Sequence, residues 1–258
     1  MKNKRDDGAT FSLQRADEKL RNVVFNPTSV AGENYRLLCR LLSETRKDNA
    51  TTSLVISSTV PGEGKTFSAC CIAAILAQES GERVLLVDGD LRRPSTAEVL
   101  GLSHIKPSAR NFSMVLRGKA GLEESVIGCD GLNLFWLQAG TFPSSTVELL
   151  NSPQLELFMR KARAAFDWVI VDSSPLLGIP DAHLLADACD GMLLVVRAAT
   201  ASVKLAQAAL KKTDRDRIIG VLLNCAEEAH SRYYGGYGYY RTTRKSSNTS
   251  MLKLRDAD

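Results

Sequence analysis

Residues 54–66 read Leu54-Val55-Ile56-Ser57-Ser58-Thr59-Val60-Pro61-Gly62-Glu63-Gly64-Lys65-Thr66, and a small apolar stretch from Ala69 to Ala77 follows. An apolar run, a glycine-bearing turn and a lysine-threonine pair in this order predict strand, phosphate loop and helix. Such a turn at a helix N-terminus aims several backbone N–H groups at one point, where the helix dipole also favours negative charge, so polyphosphate binds there. Lys65 then reaches the β- and γ-phosphates, and the Thr66 hydroxyl sits on Mg²⁺. The stretch departs from the pattern G-x-x-x-x-G-K-[ST] at its first position, which is Thr59. Its ending, Gly62-Glu63-Gly64-Lys65-Thr66, still specifies the loop in this strand-to-helix context.

Two more stretches point to the same site. Leu85-Leu86-Val87-Asp88-Gly89-Asp90-Leu91-Arg92 and Val169-Ile170-Val171-Asp172-Ser173-Ser174-Pro175 each read as a buried strand ending in aspartate. Ligands of open α/β sheets lie outside the carboxyl ends of the strands. Lys65, Thr66, Asp88, Asp90 and Asp172 are therefore expected to meet on one rim. A lone aspartate at a strand end is as often a turn or cap residue; three beside a phosphate loop make a metal and phosphate site.

The remaining chain supplies an α/β frame. Alternating strands and helices predict a mostly parallel central sheet flanked by helices on both faces, the phosphate-loop NTPase architecture, in one domain over residues 31–228. A helix over 32–46 carries an apolar stripe of Tyr35, Leu38, Cys39 and Leu42 opposite Glu33, Arg36 and Arg40. Ser152-Pro153 opens another, as N-cap and first helical residue. Strands are expected at 132–137, 192–196 and 218–223, and helices at 181–188 and 203–211; residues 95–130 are broken by four glycines and a proline and give no clear pattern. Residues 1–30, polar with scattered apolar side chains, read as a flexible arm.

Composition narrows the function. With 44% hydrophobic residues over 258 positions a sizeable core is available, and no 18-residue apolar run predicts a membrane span. Six cysteines without a C-x-x-C pair and three scattered histidines argue for buried thiols and against a zinc site. The net charge of +4 equals that of the tail from Arg232 onward, six Lys/Arg against two Asp, so the body is neutral and no nucleic-acid partner is expected. Within 229–258 five of the six tyrosines, Tyr233, Tyr234, Tyr237, Tyr239 and Tyr240, are interleaved with glycine and followed by a basic Ser/Thr-rich stretch. That composition builds no core and predicts a disordered tail. Seen alone it is a self-associating Gly/Tyr segment; beside an ATP site, it offers phenolic phosphoryl acceptors.

Taken together, these residues resemble the bacterial tyrosine kinases of capsule and exopolysaccharide synthesis in their separate cytoplasmic form. The resemblance runs from Glu33-Asn34-Tyr35-Arg36 to the tyrosine cluster and includes Pro61 to Thr66, Asp88-x-Asp90-x-Arg92, Asp172-x-x-Pro175 and the segment Gly140 to Leu150. It implies a tyrosine autokinase using ATP and Mg²⁺, with Pro61, Gly62, Glu63, Gly64, Lys65, Thr66 and Phe67 around the nucleotide. It further implies Thr66, Asp90 and Asp172 at the metal, Lys65, Asp88, Asp90 and Arg92 in catalysis, and the five tail tyrosines as autophosphorylation sites in trans. Asp88 is the better candidate to accept the tyrosine proton, with Asp90 the alternative. Arg92 either steadies the phosphates or pairs with an aspartate; Asn224 either reads the adenine edge or forms a turn. Implied partners are a transmembrane polysaccharide co-polymerase that activates the kinase and recruits it to the inner face of the membrane, a cognate tyrosine phosphatase, and further copies in a ring.

The chain departs from the family pattern at two places. The oligomerisation pattern E-x-x-R-x-x-R has Cys39 at its second arginine, with Arg40 beside it, and the last strand motif reads Asp-Ser-Ser-Pro. The alternative function is a partitioning or cell-division ATPase switch without kinase activity. Those proteins place a lysine five residues before the loop lysine, where this chain has Val60.

Overall fold

The computed structural model describes residues 10–105, 109–140, 145–198, 202–226 and 248–252. In chain order the elements are β1 (Thr10–Phe11), α1 (Glu18–Phe25), α2 (Val30–Asn49), β2 (Ser53–Ser58), α3 (Lys65–Glu79), β3 (Val84–Asp88), α4 (Thr96–Val99) and α5 (Phe112–Leu116). There follow β4 (Ile127–Cys129), β5 (Leu134–Leu137), α6 (Thr146–Leu150), α7 (Pro153–Ala165), β6 (Trp168–Asp172), α8 (Asp181–Ala188), β7 (Gly191–Arg197), α9 (Val203–Lys212), β8 (Ile218–Ala226) and β9 (Asn248–Leu252). One sheet orders these strands β1-β4-β5-β3-β6-β2-β7-β8-β9.

The central strands are apolar along their whole length because helices cover both faces. Successive side chains alternate between two cores. Leu54, Ile56, Leu86, Trp136 and Ile170 face α1, α2 and α3. Val55, Leu85, Val87, Val169 and Val171 face Leu155, Phe158 and Met159 of α7 and Leu185 of α8. Helix α3 is buried on every side from Ser68 to Ala77. Its alanines and two cysteines are small enough to let it lie between the sheet and α2, which explains an apolar helix with no polar face.

The parallel frame expected from the sequence is present: β2 pairs in parallel with β6 and β7, β3 with β5 and β6, and β7 with β8. Parallel registers align the strand ends, so Asp88 and Asp172 are direct neighbours. Two antiparallel pairs were not foreseen. In the stretch without a clear pattern, β4 runs antiparallel to β5. Within the tail, Asn248–Leu252 pairs antiparallel with β8, Leu222 opposite Met251. Without it β8 would present a bare row of backbone donors and acceptors at the sheet edge.

From residue 10 onward the structure corrects the expectation of a flexible arm over 1–30; residues 1–9 lie outside the described residues. Phe11 lies opposite Cys129 of β4, and its ring meets Trp136 edge-on at 6.4 Å between centroids. Helix α1, capped by the Asp17 carboxylate on the Lys19 N–H, buries Leu20, Val23 and Val24. These three occupy positions i, i+3 and i+4, a helical stripe obscured by charged neighbours in an eight-residue helix. Gly101, at φ +73°, has no room for a Cβ, which would fall 2.0 Å from the Arg15 carbonyl oxygen, so the segment is clasped from that side too. Among the described residues the packing therefore reaches back to residue 10.

If α1 is part of the core, Leu20→Ala, at a position with no exposure, should cost about 2–4 kcal/mol of stability in urea unfolding. A loss under about 0.5 kcal/mol, typical of surface substitutions, would return the segment to an unattached arm.

Candidate active site

The phosphate loop joins β2 to α3 with two glycines in the left-handed region, Gly62 at φ +87° and Gly64 at φ +95°. Gly64 is the N-cap of α3 and offers no side chain to the first turn, leaving its N–H groups for a ligand. Thr59, the departure from the motif, is absent from the non-glycine residues with positive φ, so a Cβ is tolerated where the pattern has glycine. Within the loop the buried Glu63 carboxylate accepts the Val60 N–H at 2.9 Å and the Arg197 N–H at 3.3 Å. Glu63 therefore turns its side chain into the protein and offers a nucleotide only its backbone. Pro61 and Gly62 are exposed, and Phe67 is half-buried against the α3 side of the core.

The expected convergence occurs. Lys65 Nζ lies 3.2 Å from Asp90 Oδ2, 3.5 Å from Asp172 Oδ1 and 3.1 Å from Thr66 Oγ1. Thr66 donates to Asp172 Oδ2 at 2.8 Å and pairs with the Ser95 hydroxyl at 3.0 Å. Asp90 uses its other oxygen to accept the Arg93 N–H, fixing its own turn. Asp88 Oδ2 accepts the Thr96 hydroxyl at 2.6 Å and the Thr96 N–H at 3.1 Å, while its Oδ1 is buried with no hydrogen-bond partner among the described residues.

Three carboxylates face one lysine, leaving an excess of two negative charges in a nearly sealed site. Burial pushes Asp88 up to about 6 against the pull of the Thr96 hydrogen bonds. Burial also pushes Asp172 up to about 7; Lys65 opposes this, and the like charges of Asp88 and Asp90 add to it. Burial pulls Lys65 down, and Asp172 and Asp90 outweigh it, so the lysine stays protonated. A hydroxyl and carboxylates are the hard oxygen donors that Mg²⁺ takes, and the ion keeps several waters and binds phosphate oxygens. Among the described residues no group of three or more His, Cys, Asp or Glu forms an all-protein metal cage. Thr66, Asp90 and Asp172 fit an ion bound through one hydroxyl and two carboxylates.

Of its two readings, Arg92 takes the pairing with an aspartate. Its Nε donates to Asp181 Oδ2 at 2.8 Å, and Nη2 reaches Thr146 Oγ1 at 2.5 Å. Asp181 was legible only as the acidic first residue of a helix. The pair ties the Asp90 loop to the helix after the Asp172 strand. Asn224 sits at the site's other flank, where its Nδ2 donates to the Glu63 carbonyl at 2.9 Å and its Oδ1 accepts the Cys225 N–H at 2.9 Å. Ser95, Thr96 and Arg197 are further contributors that no motif singled out.

Three other expectations meet the structure unevenly. The five tail tyrosines lie outside the described residues. Cys39 is buried against α3, its thiol directed at the Ile72 carbonyl, so this position of α2 faces the core. Arg36 leaves the face it was expected to share with Glu33: its Nε binds Glu79 of α3 at 2.6 Å, and its Nη2 binds the Val24 carbonyl. Glu33 and Arg40 remain exposed.

The fold and the site define a phosphate-loop nucleotide-binding protein. An AAA domain family model matches residues 51–215. The chain is 31% identical to the tyrosine-protein kinase YwqD of Bacillus subtilis over 230 residues, covering 87% of this chain and 94% of that one. It is 30% identical to the succinoglycan biosynthesis transport protein ExoP of Rhizobium meliloti, covering 86% of this chain and only 28% of that longer protein. The solved kinase domain of the Escherichia coli tyrosine kinase ETK superposes with a TM-score of 0.73 at 26% identity, over 93% of this chain and 89% of that one. The chain belongs to the bacterial protein-tyrosine kinase family. Among its described residues no helix is long and apolar enough to cross a membrane.

The raised carboxyl groups predict a pH dependence. A carboxyl raised on folding stabilises the fold at low pH and loses that contribution as pH rises through its folded value. For Asp172 the window runs from its ordinary 3.8 to about 7. Wild type should therefore lose stability relative to Asp172→Asn between pH 4.5 and 7.5, read as urea midpoints without nucleotide. A constant difference, or one that grows in favour of wild type, would contradict a strained buried carboxyl.

Proposed function

We propose that the chain transfers the γ-phosphoryl group of ATP to tyrosine hydroxyls of a neighbouring copy, Tyr233, Tyr234, Tyr237, Tyr239 and Tyr240 among them, and thereby regulates capsular or extracellular polysaccharide synthesis or export. The observation that carries the reading is the grouping of Lys65, Thr66, Asp88, Asp90 and Asp172 around one phosphate loop in a chain of this family. The polysaccharide link rests on the likeness to ExoP, whose name assigns it to succinoglycan biosynthesis. Val60, standing where the ATPase switches have lysine, disfavours the alternative.

Phosphoryl transfer asks a protein mainly for in-line positioning and charge neutralisation. The loop N–H groups and Lys65 hold the β- and γ-phosphates. The tyrosine oxygen attacks the γ-phosphorus, the bond from that phosphorus to the β,γ-bridging oxygen breaks, and ADP leaves. Asp88 takes the phenolic proton: its pKa of about 6 suits a base at neutral pH, and its Oδ1 has no hydrogen-bond partner among the described residues. Mg²⁺ bound at Thr66, Asp90 and Asp172 would neutralise the charge that develops on the phosphate oxygens. Arg92 acts through Asp181, holding the loop that carries Asp90.

The same reading includes partners. A transmembrane polysaccharide co-polymerase would activate the kinase and bring it to the inner face of the membrane, and a tyrosine phosphatase would reset it. Exposed Glu33 and Arg40 on α2 offer charges for contact between copies, with Arg36 and Cys39 engaged inside each chain.

Lys65→Met should lower phosphotyrosine formation, followed by mass spectrometry with ATP and Mg²⁺, by about 100-fold or more while the fold persists. Phosphotyrosine at the wild-type level in that variant would remove the loop from the mechanism. A second comparison separates base from metal ligand. Asp88→Asn should reduce kcat with nucleotide affinity kept within about threefold, whereas Asp172→Asn should also weaken Mg²⁺-dependent nucleotide binding. Equal losses of affinity in the two variants would undo the assignment.

A further inference from the structure

Two consecutive carbonyls of the phosphate loop are occupied by side-chain donors from outside it. The Gly62 carbonyl accepts Arg197 Nη1 at 3.3 Å, and the Glu63 carbonyl accepts Asn224 Nδ2 at 2.9 Å. Arg197 ends β7, and Asn224 lies opposite it on β8. Both donors thus reach the loop from one side, the β7–β8 side of the sheet.

The described peptide bonds are all trans. In a planar trans peptide the C=O and the following N–H point in opposite directions. Drawing the Gly62 carbonyl towards Arg197 therefore turns the Glu63 N–H away from β7 and β8. Drawing the Glu63 carbonyl towards Asn224 turns the Gly64 N–H the same way. These are loop N–H groups that a phosphate is expected to meet, so a pair of carbonyl contacts on the outer side sets donors on the inner side.

The surroundings make the contacts specific. The Asn224 amide is held at both ends, since its Oδ1 accepts the N–H of Cys225, a residue at φ +54°. A Cβ on Gly64 would lie 2.1 Å from Asn224 Nδ2, so the amide occupies the space that the glycine leaves. The Glu63 carboxylate closes the arrangement by accepting the backbone N–H of Arg197 at 3.3 Å and that of Val60 at 2.9 Å. Loop, β7 and β8 are thereby tied together by the chain's own groups.

The geometry points to Arg197 and Asn224 as a clamp that pre-sets the phosphate loop, Asn224 recognising the loop backbone and not the adenine edge. Both are positioning residues, because they act through carbonyls and not on the phosphates. A loop already in its binding conformation spares the ligand the ordering cost. The inference rests on the loop being the ATP phosphate site, but it does not need phosphoryl transfer.

The test is calorimetric binding of ADP and of inorganic tripolyphosphate to the full chain, with urea midpoints as a control on folding. Asn224→Ala should weaken both ligands by the same factor, about tenfold, and Arg197→Ala should weaken both by about threefold, its bond being longer and exposed. Asn224→Ala should lower the urea midpoint modestly while the chain stays folded, because it leaves the Glu63 carbonyl and the Cys225 N–H without their bond, and Arg197→Lys, which keeps a donor, should recover most of the Arg197→Ala loss. The Arg197→Ala loss should persist at about 0.5 M salt, where attraction between exposed charges is screened. A loss of ADP affinity with tripolyphosphate unchanged would make Asn224 a base reader and overturn the clamp. Unchanged affinity for both ligands would overturn it as well. If the Arg197→Ala loss vanished at high salt, Arg197 would contribute only its charge and the two-residue clamp would fall. Wild-type protein that bound neither ligand would fail the phosphate-loop reading itself, a result distinct from either of these.

Discussion

Lys65, largely but not fully buried, is held among three carboxylates, and the architecture around the site follows from that grouping. Lys65 touches Asp90 and Asp172, and Asp88 lies in register beside Asp172. Three carboxylates and one lysine repel more than they attract, and burial adds to the cost. Such a grouping persists only when surrounding structure fixes it, and it becomes favourable when a cation and phosphates complete it. The parallel sheet provides that fixation, because strand order places the ends of β3, β6 and β2 side by side.

Asp88 and Asp90 each give one oxygen to the scaffold and keep the other for the site, whereas both oxygens of Asp172 serve the site. Asp90 gives one to the Arg93 N–H and the other to Lys65; Asp88 gives one to Thr96, and its other oxygen has no partner among the described residues. Asp172 gives one each to Thr66 and Lys65. The same economy recurs in the phosphate loop, where Glu63 bonds to its own turn and to β7. A site built this way carries its own supports. The Arg92–Asp181 pair extends them by joining the loop after β3 to the helix after β6. Helix α2 answers to a different constraint. Its inner stripe must follow the small-residue surface of α3, which draws Cys39 inward and leaves Arg36 close enough to bond Glu79.

Elements whose signals are local can be read from the chain alone. Strand, loop and helix around Lys65 lie within one stretch, and the apolar runs ending in Asp88 and Asp172 announce both buried strands and their functional ends. These features follow from periodicity and from glycine backbone freedom, which are properties of neighbours in the chain. Pairing between distant residues emerges only on folding. The contact of Asn224 with Glu63 spans 161 positions, that of Arg197 with Gly62 spans 135, and that of Arg92 with Asp181 spans 89. No local pattern encodes such partners, because they depend on which strands end up adjacent and in what register. For the same reason β1 and α1 read as an arm: Phe11 and Leu20 are isolated in the sequence and become core residues only when β4 and α3 supply the other half of the contact.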